Sequence, residues 1–131
     1  MKLTLDVENT VTKRDGKMHL DPFEPENSLT MIGVLTDQDV ERHFPFDHCD
    51  VPNQQHFYEQ VQWFLDEATI LICHNAAYDL MWLWESGFKY DGPVFDTMLA
   101  EYVLQRGIKE PLSLEACAER YELDTKKQDT L

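Results

Sequence analysis

Lys2-Leu3-Thr4-Leu5-Asp6-Val7-Glu8-Asn9-Thr10 opens the chain with alternating apolar and polar residues. A period of two is the mark of a β-strand with one buried face. The pattern sends Leu3, Leu5 and Val7 toward a core and sets Asp6 and Glu8 side by side on the opposite face. Two carboxylates aimed at one spot repel each other unless a cation or a shared proton lies between them. Oxygen ligands of this kind suit a hard divalent ion such as Mg²⁺ or Mn²⁺. The plain alternative is a solvated strand face that happens to carry acids.

The bulk properties bound what this strand belongs to. At 131 residues, 43% hydrophobic and 27% charged, the chain is read as one globular domain. No apolar stretch approaches the roughly 20 residues that cross a membrane, and the first residues form a strand pattern rather than a secretory signal. Cys49, Cys73 and Cys117 are scattered and odd in number, which suggests a reducing, cytoplasmic setting without disulfides. The net charge of −14 argues against a protein that coats nucleic acid with a basic face. It leaves open an enzyme that acts on nucleic acid through bound metal, because the metal then supplies the positive charge.

Beyond the first strand, Asp15-Gly16 within Thr12–Met18 predicts a hairpin tip, and Pro22 to Asn27 a loop broken by two prolines. Strands are expected over Ser28–Leu35 and Val40–Phe46. The spacing of Phe57, Val61, Phe64 and Leu65 predicts a helix over His56–Glu67. Thr69–Cys73, short and β-branched, reads as a central strand covered on both faces. A helix over Ala76–Ser86 follows, burying Leu80, Leu83 and Trp84, with Asn75 as N-cap and Gly87 as its stop. A brief strand at Val94–Asp96 and helices over Thr97–Gln105 and Ser113–Tyr121 complete the pattern, the last capped by Ser113. The tail from Asp124 to Leu131 is polar. Strands followed by strand–helix alternation predict an α/β or α+β layer fold, with functional groups near the strand ends.

A third carboxylate, Asp79, falls in the first turn of the helix that follows the central strand. The helix dipole favours an acid there in any protein; a functional role requires it to face the Asp6/Glu8 strand. His74 and Asn75 would then hold the loop by side-chain hydrogen bonds. Asp96 is read first as an N-cap or first-turn acid. His43, His48 and Cys49 lack a fourth ligand with zinc spacing. Trp63, Phe64, Trp82 and Trp84 are expected in the core, with Trp82 the one nearest solvent. Lys13, Arg14 and Lys17 sit on the hairpin tip, where they can be solvated or touch phosphate.

Taken together, these segments resemble the proofreading DEDD (DnaQ-like) 3′–5′ exonucleases. Leu5-Asp6-Val7-Glu8-Asn9-Thr10 is similar to their first motif, and His74-Asn75-Ala76-Ala77-Tyr78-Asp79-Leu80 to the second, as found in phage polymerases. Phe95-Asp96-Thr97-Met98-Leu99 resembles the Asp-Thr that follows, and Ser113-Leu114-Glu115 the helix start beyond it. The whole chain, 1–131, looks like the N-terminal portion of the exonuclease region of a phage family A DNA polymerase.

The resemblance implies an RNase H-like fold, a mixed five-stranded sheet flanked by helices. It also implies hydrolysis of 3′-terminal phosphodiesters of single-stranded DNA with two Mg²⁺ or Mn²⁺ ions. Asp6 would bridge both ions, Glu8 would hold the one that activates water and Asp79 the other, while Asn9 and Thr10 would lie against the terminal nucleotide. His74, Asn75 and Asp96 would support these groups. A polymerase domain would be the covalent partner. The family's fourth carboxylate comes from a later Tyr-x-x-x-Asp or His-x-x-x-Asp. Neither pattern follows Ser113, and Asp124 and Asp129 match neither, so a truncated and inactive piece is expected. A non-catalytic fragment of the same fold and a free-standing RNA exonuclease are the alternatives.

Overall fold

A computed structural model describes residues 1–46 and 54–124. Seven strands and four helices alternate along these residues: β1 (Lys2–Asn9), β2 (Thr12–Arg14), β3 (Lys17–His19), β4 (Leu29–Thr36), β5 (Glu41–Pro45), α1 (Gln54–Glu67), β6 (Ile70–Cys73), α2 (Ala76–Glu85), β7 (Val94–Asp96), α3 (Thr97–Leu104) and α4 (Leu114–Arg120). Five strands form one mixed sheet in the order β5-β4-β1-β6-β7, and β2-β3 form a separate ribbon. β1 lies at the centre, antiparallel to β4 and parallel to β6; β7 continues the parallel side. This is the mixed sheet flanked by helices of an RNase H-like exonuclease fold.

The period-two reading of β1 holds residue by residue. Leu3, Leu5 and Val7 are buried, while Thr4, Asp6 and Glu8 are exposed. The buried side meets Val61, Phe64 and Leu65 of α1 and Trp82 and Leu83 of α2, with Leu71 and Cys73 of β6 alongside. Apolar area removed from water here supplies the main drive to fold, at about 25 cal/mol per Å².

Two expectations about packing change. Ile70 and Ile72 are only half-buried, so β6 is covered on one face and β1 takes the central place. The tryptophans also exchange roles: Trp82 is 3% exposed, whereas Trp84 is 56% and Trp63 55% exposed. The buried stripe of α2 is Ala76, Asp79, Trp82 and Leu83. It is rotated from the apolar pattern because Asp79 must face β1.

The turns follow local chemistry. Asp15 and Gly16 both adopt positive φ, 51° and 77°, as a type I′ hairpin turn requires. Helix α2 ends in a Schellman motif, with the Gly87 amide on the Trp84 carbonyl (3.1 Å) and the Phe88 amide on the Leu83 carbonyl (2.9 Å). Gly87 has φ +93°, and the nearest atom to an added Cβ would be the Tyr58 hydroxyl at 3.8 Å. The demand is therefore on the backbone rather than on space. Gly87→Ala should lower stability by about 1 kcal/mol, read as a shift of the urea midpoint at unchanged m-value.

Candidate active site

β1 and β6 pair only from Lys2↔Ile70 to Thr4↔Ile72. Past Thr4 the two strands part, β6 ends at Cys73, and α2 begins at Ala76. Asp79 fills the gap: its Oδ1 accepts the Val7 backbone amide at 3.3 Å. A side-chain oxygen thus takes the place of a sheet partner for a buried N–H that would otherwise be unsatisfied. Asp79 is 2% exposed. Its second oxygen, Oδ2, is fully buried and has no hydrogen-bond partner among the described residues.

Burial raises the Asp79 pKa from 3.8 to about 7, and the Asp6 carboxylate adds to the rise, while the Val7 amide and then the Cys73 thiol oppose it. The Cys73 thiol is pushed far up, by burial first and then by Asp79, with Asp6 also contributing. It is therefore a neutral neighbour. Asp6 and Glu8 stand on the exposed side of β1 and line a groove of about 210 Å³ with Thr4, Met31, Leu35, Glu41 and His43. Gly33, paired directly with Asp6, puts no side chain into its floor.

The structure thus brings Asp79 into electrostatic contact with Asp6 across the β1 backbone. Among the described residues, however, no group of three His, Cys, Asp or Glu side chains is close enough to hold a metal ion. The donor set itself fits a hard divalent cation: an orphaned buried carboxylate oxygen, a second carboxylate that repels it, and a third on the same strand.

What aims Asp79 is another acid. Asp96 Oδ1 accepts from Asn75 N (2.9 Å) and Oδ2 from Ala76 N (3.0 Å). Oδ1 also accepts from Met98 N (2.9 Å) and Leu99 N (3.3 Å). One carboxylate therefore caps two helices, its own α3 and, from the neighbouring strand, α2. Burial alone would raise its pKa, yet these four amides hold it below the ordinary carboxylate value. Asn75 has a left-handed backbone (φ 67°, ψ 63°) and makes no side-chain cap. Its predicted capping role passes to Asp96, whose oxygens occupy the helix end.

His74 does hold its loop: Nε2 donates to the Leu112 carbonyl (2.6 Å) and Nδ1 pairs with the Thr97 hydroxyl (2.9 Å). Asn9 and Thr10 are engaged with the protein. Asn9 Oδ1 accepts from the Tyr78 hydroxyl (2.5 Å), and its Nδ2 donates to the Thr10 and Leu20 carbonyls. The Thr10 hydroxyl accepts from Ser28 N (2.8 Å). Both side chains anchor chain segments in this structure, so direct contact with a nucleotide would require those bonds to break. His43 pairs with Glu41 (3.0 Å), Asp124 is exposed, and His48, Cys49 and Asp129 lie outside the described residues. The sequence points to no role for Tyr78 and marks Trp82 only as an aromatic near solvent. The only available hint is their spacing from Asp79 on one helix turn.

A family model described as 3′–5′ exonuclease matches residues 17–130, a stretch that starts after the strand bearing Asp6 and Glu8. Among solved structures, 13 chains match. One, described as the apo form of a nuclease, superposes with a TM-score of 0.63 at 19% identity, covering 95% of this chain and 54% of its own. Another, Brucella melitensis NrnC bound to pGG, gives a TM-score of 0.65 at 20% identity, covering 98% of this chain and 56% of its own. At these identities the likeness is one of fold, and the chain spans little more than half the length of these structures. Among curated proteins none matches.

The raised Asp79 pKa fixes a pH dependence. Below pH 3.8 the carboxyl is protonated folded or unfolded, so its contribution to the pH dependence is absent. Between 3.8 and about 7 the unfolded chain loses the proton that the folded chain keeps. Stability therefore falls as pH rises through this window and levels off above it, by an amount on the order of 4 kcal/mol. Without added metal, the difference in unfolding free energy between the native protein and Asp79→Asn should trace this fall. A flat difference curve would show that Asp79 ionises at its ordinary pKa.

Proposed function

This chain belongs to the 3′–5′ exonuclease family, and we propose that it is the exonuclease portion of a phage-type proofreading DNA polymerase. Its reaction would release nucleoside monophosphates from the 3′ end of single-stranded DNA. The observation that carries the reading is the buried, unpartnered Oδ2 of Asp79 beside Asp6. A bound cation offsets the cost of that arrangement when the carboxyl is ionised, as a retained proton does when it is not. The polymerase setting rests on the resemblance of the His74–Leu80 and Phe95–Leu99 segments to phage polymerase motifs.

Asp6, Glu8 and Asp79 would hold Mg²⁺ or Mn²⁺. Divalent ions there supply counter-charge for the phosphodiester and for the attacking and leaving oxygens. The chain's own contribution is positioning. Asp96 fixes the start of α2 through the Asn75 and Ala76 amides, His74 ties the preceding loop to Leu112, and β1 presents Asp6 and Glu8 on its exposed face. Trimming by these residues depends on that positioning. A second reading, a free-standing exonuclease of short RNA, draws support from the pGG-bound NrnC among the structural neighbours.

Mn²⁺ at about ten times its Kd should raise Tm by about 3–6 °C, with the shift much reduced in Asp6→Ala and Asp79→Asn. A 3′-labelled single-stranded oligonucleotide should release mononucleotides slowly and only with metal, about 100-fold less in Asp6→Ala. Metal-independent trimming, or equal Mn²⁺ shifts in all three proteins, would overturn the assignment. The ratio of rates on DNA and RNA strands of one sequence decides between the two readings.

A further inference from the structure

Three of the chain's 11 lysines and arginines, Lys13, Arg14 and Lys17, lie within five residues at the tip of the β2–β3 ribbon. In a chain of net charge −14 such a concentration stands against the surrounding field. The three differ in their engagement. Arg14 is bound to Glu24 (2.8 Å) and Glu26 (3.3 Å), which fastens the ribbon to the loop beneath it. Lys13 and Lys17 are exposed and form no ion pair among the described residues.

The base of the ribbon is riveted to the catalytic helix. The Leu20 carbonyl accepts from Asn9 Nδ2 (3.1 Å), the Tyr78 hydroxyl (3.2 Å) and Trp82 Nε1 (3.2 Å). Tyr78 and Trp82 flank Asp79, so one turn of α2 aims Asp79 at β1 and grips the ribbon at the same time. The ribbon is therefore held at a fixed place relative to the carboxylates. Next to it, Asp21 Oδ1 accepts from Phe23 N (2.9 Å) and Glu24 N (3.1 Å). This pins a loop that leaves the Phe23 ring 64% exposed. Met18, paired with Lys13 across the ribbon, is 55% exposed.

We infer that the β2–β3 ribbon and the Phe23 loop form an arm that binds the single strand leading into the active site. Lys13 and Lys17 contact its phosphates and Phe23 stacks on a base. Exposed cations and an exposed aromatic ring on one arm, whose two parts the Arg14–Glu24 pair ties together, suit a single strand, because every nucleotide offers both a charge and a flat face. The acidic remainder of the surface repels a polyanion, so the strand is confined to this arm. The inference rests on the reading of the site as one that takes a nucleic-acid 3′ end.

The test is binding of a fluorescently labelled ten-nucleotide single strand, followed by anisotropy in EDTA, where neither metal nor hydrolysis enters. The double variant Lys13→Glu/Lys17→Glu should weaken binding by at least about tenfold and flatten the slope of log K against log[salt] by about 1.4. Phe23→Ala should weaken it by about tenfold with the slope kept. Lys109→Glu, a charge reversal of equal kind at a distant loop, should leave binding as it is. Retention of the Mn²⁺ shift in Tm shows that the ribbon variants are folded. Unchanged affinity in the ribbon variants, or an equal loss in Lys109→Glu, overturns the arm. So does binding of vesicles of anionic lipid through Lys13 and Lys17 in preference to the strand. Failure of the metal-site reading would instead appear as an absent Mn²⁺ shift with strand binding intact.

Discussion

Everything at the site depends on one gap in the sheet. β6 follows β1 for three pairs and then departs, leaving the Val7 amide facing a void at the heart of the molecule. A strand cannot fill the void, because β6 has already turned into the loop that starts α2. A carboxylate carried in the first turn of that helix does fill it. Satisfying one N–H fixes the rotation of α2 about its axis and therefore decides which residues are buried. Trp82 is drawn inside and Trp84 is turned out. The cost is an oxygen with no partner and a carboxyl whose charged form is disfavoured. That cost is tolerable at neutral pH only because the proton can stay on, or because a cation can replace it.

The polar frame around the gap explains how so short a loop can hold such an arrangement. Asp96 gathers amides from two helix starts, where the N-terminal N–H groups of both would otherwise lack partners. His74 spans from the Thr97 hydroxyl to Leu112. Glu101, 6% exposed, receives Arg120 Nη1 (2.5 Å) and the Tyr121 hydroxyl (2.7 Å). No residue of α3 or α4 belongs to the buried apolar cluster. These helices are tethered by hydrogen bonds and an ion pair rather than by a shared core: Glu101 joins α3 to the end of α4, while Asp96 and His74 reach the loop that precedes Asp79.

How much of this the sequence discloses follows from which forces are local. The parity of β1 is local, so Asp6 and Glu8 can be assigned to one face from alternation alone. The Asp15-Gly16 turn, the Gly87 stop and the Ser113 cap, whose Oγ accepts from Ala116 N at 3.1 Å, are equally legible because each is settled within a few residues. The N-cap of α2 is not legible. Its acceptor arrives from Asp96, 21 residues onward, and no window around Asn75 contains it. The burial of β6 escapes for another reason: an unbroken apolar run reads the same whether one face or both are covered. Asn9 and Thr10 look available in the sequence because their partners, Tyr78, Leu20 and Ser28, are distant.

The two acids that meet across β1 differ in what surrounds them, and that difference bears on their chemistry. Asp6 stands on the exposed side of β1 and lines a groove. Asp79 is enclosed, and its charge is expensive. A pair so arranged does not behave as two equal ligands. A cation bound beside the exposed member would lower the cost of ionising the buried one, so that binding and proton release would be coupled. The Val7 amide secures one oxygen of Asp79, and Oδ2 is the one without a hydrogen-bond partner among the described residues. Asp79 is thus held in place by a helix that Asp96 caps and to which the ribbon base is also bonded.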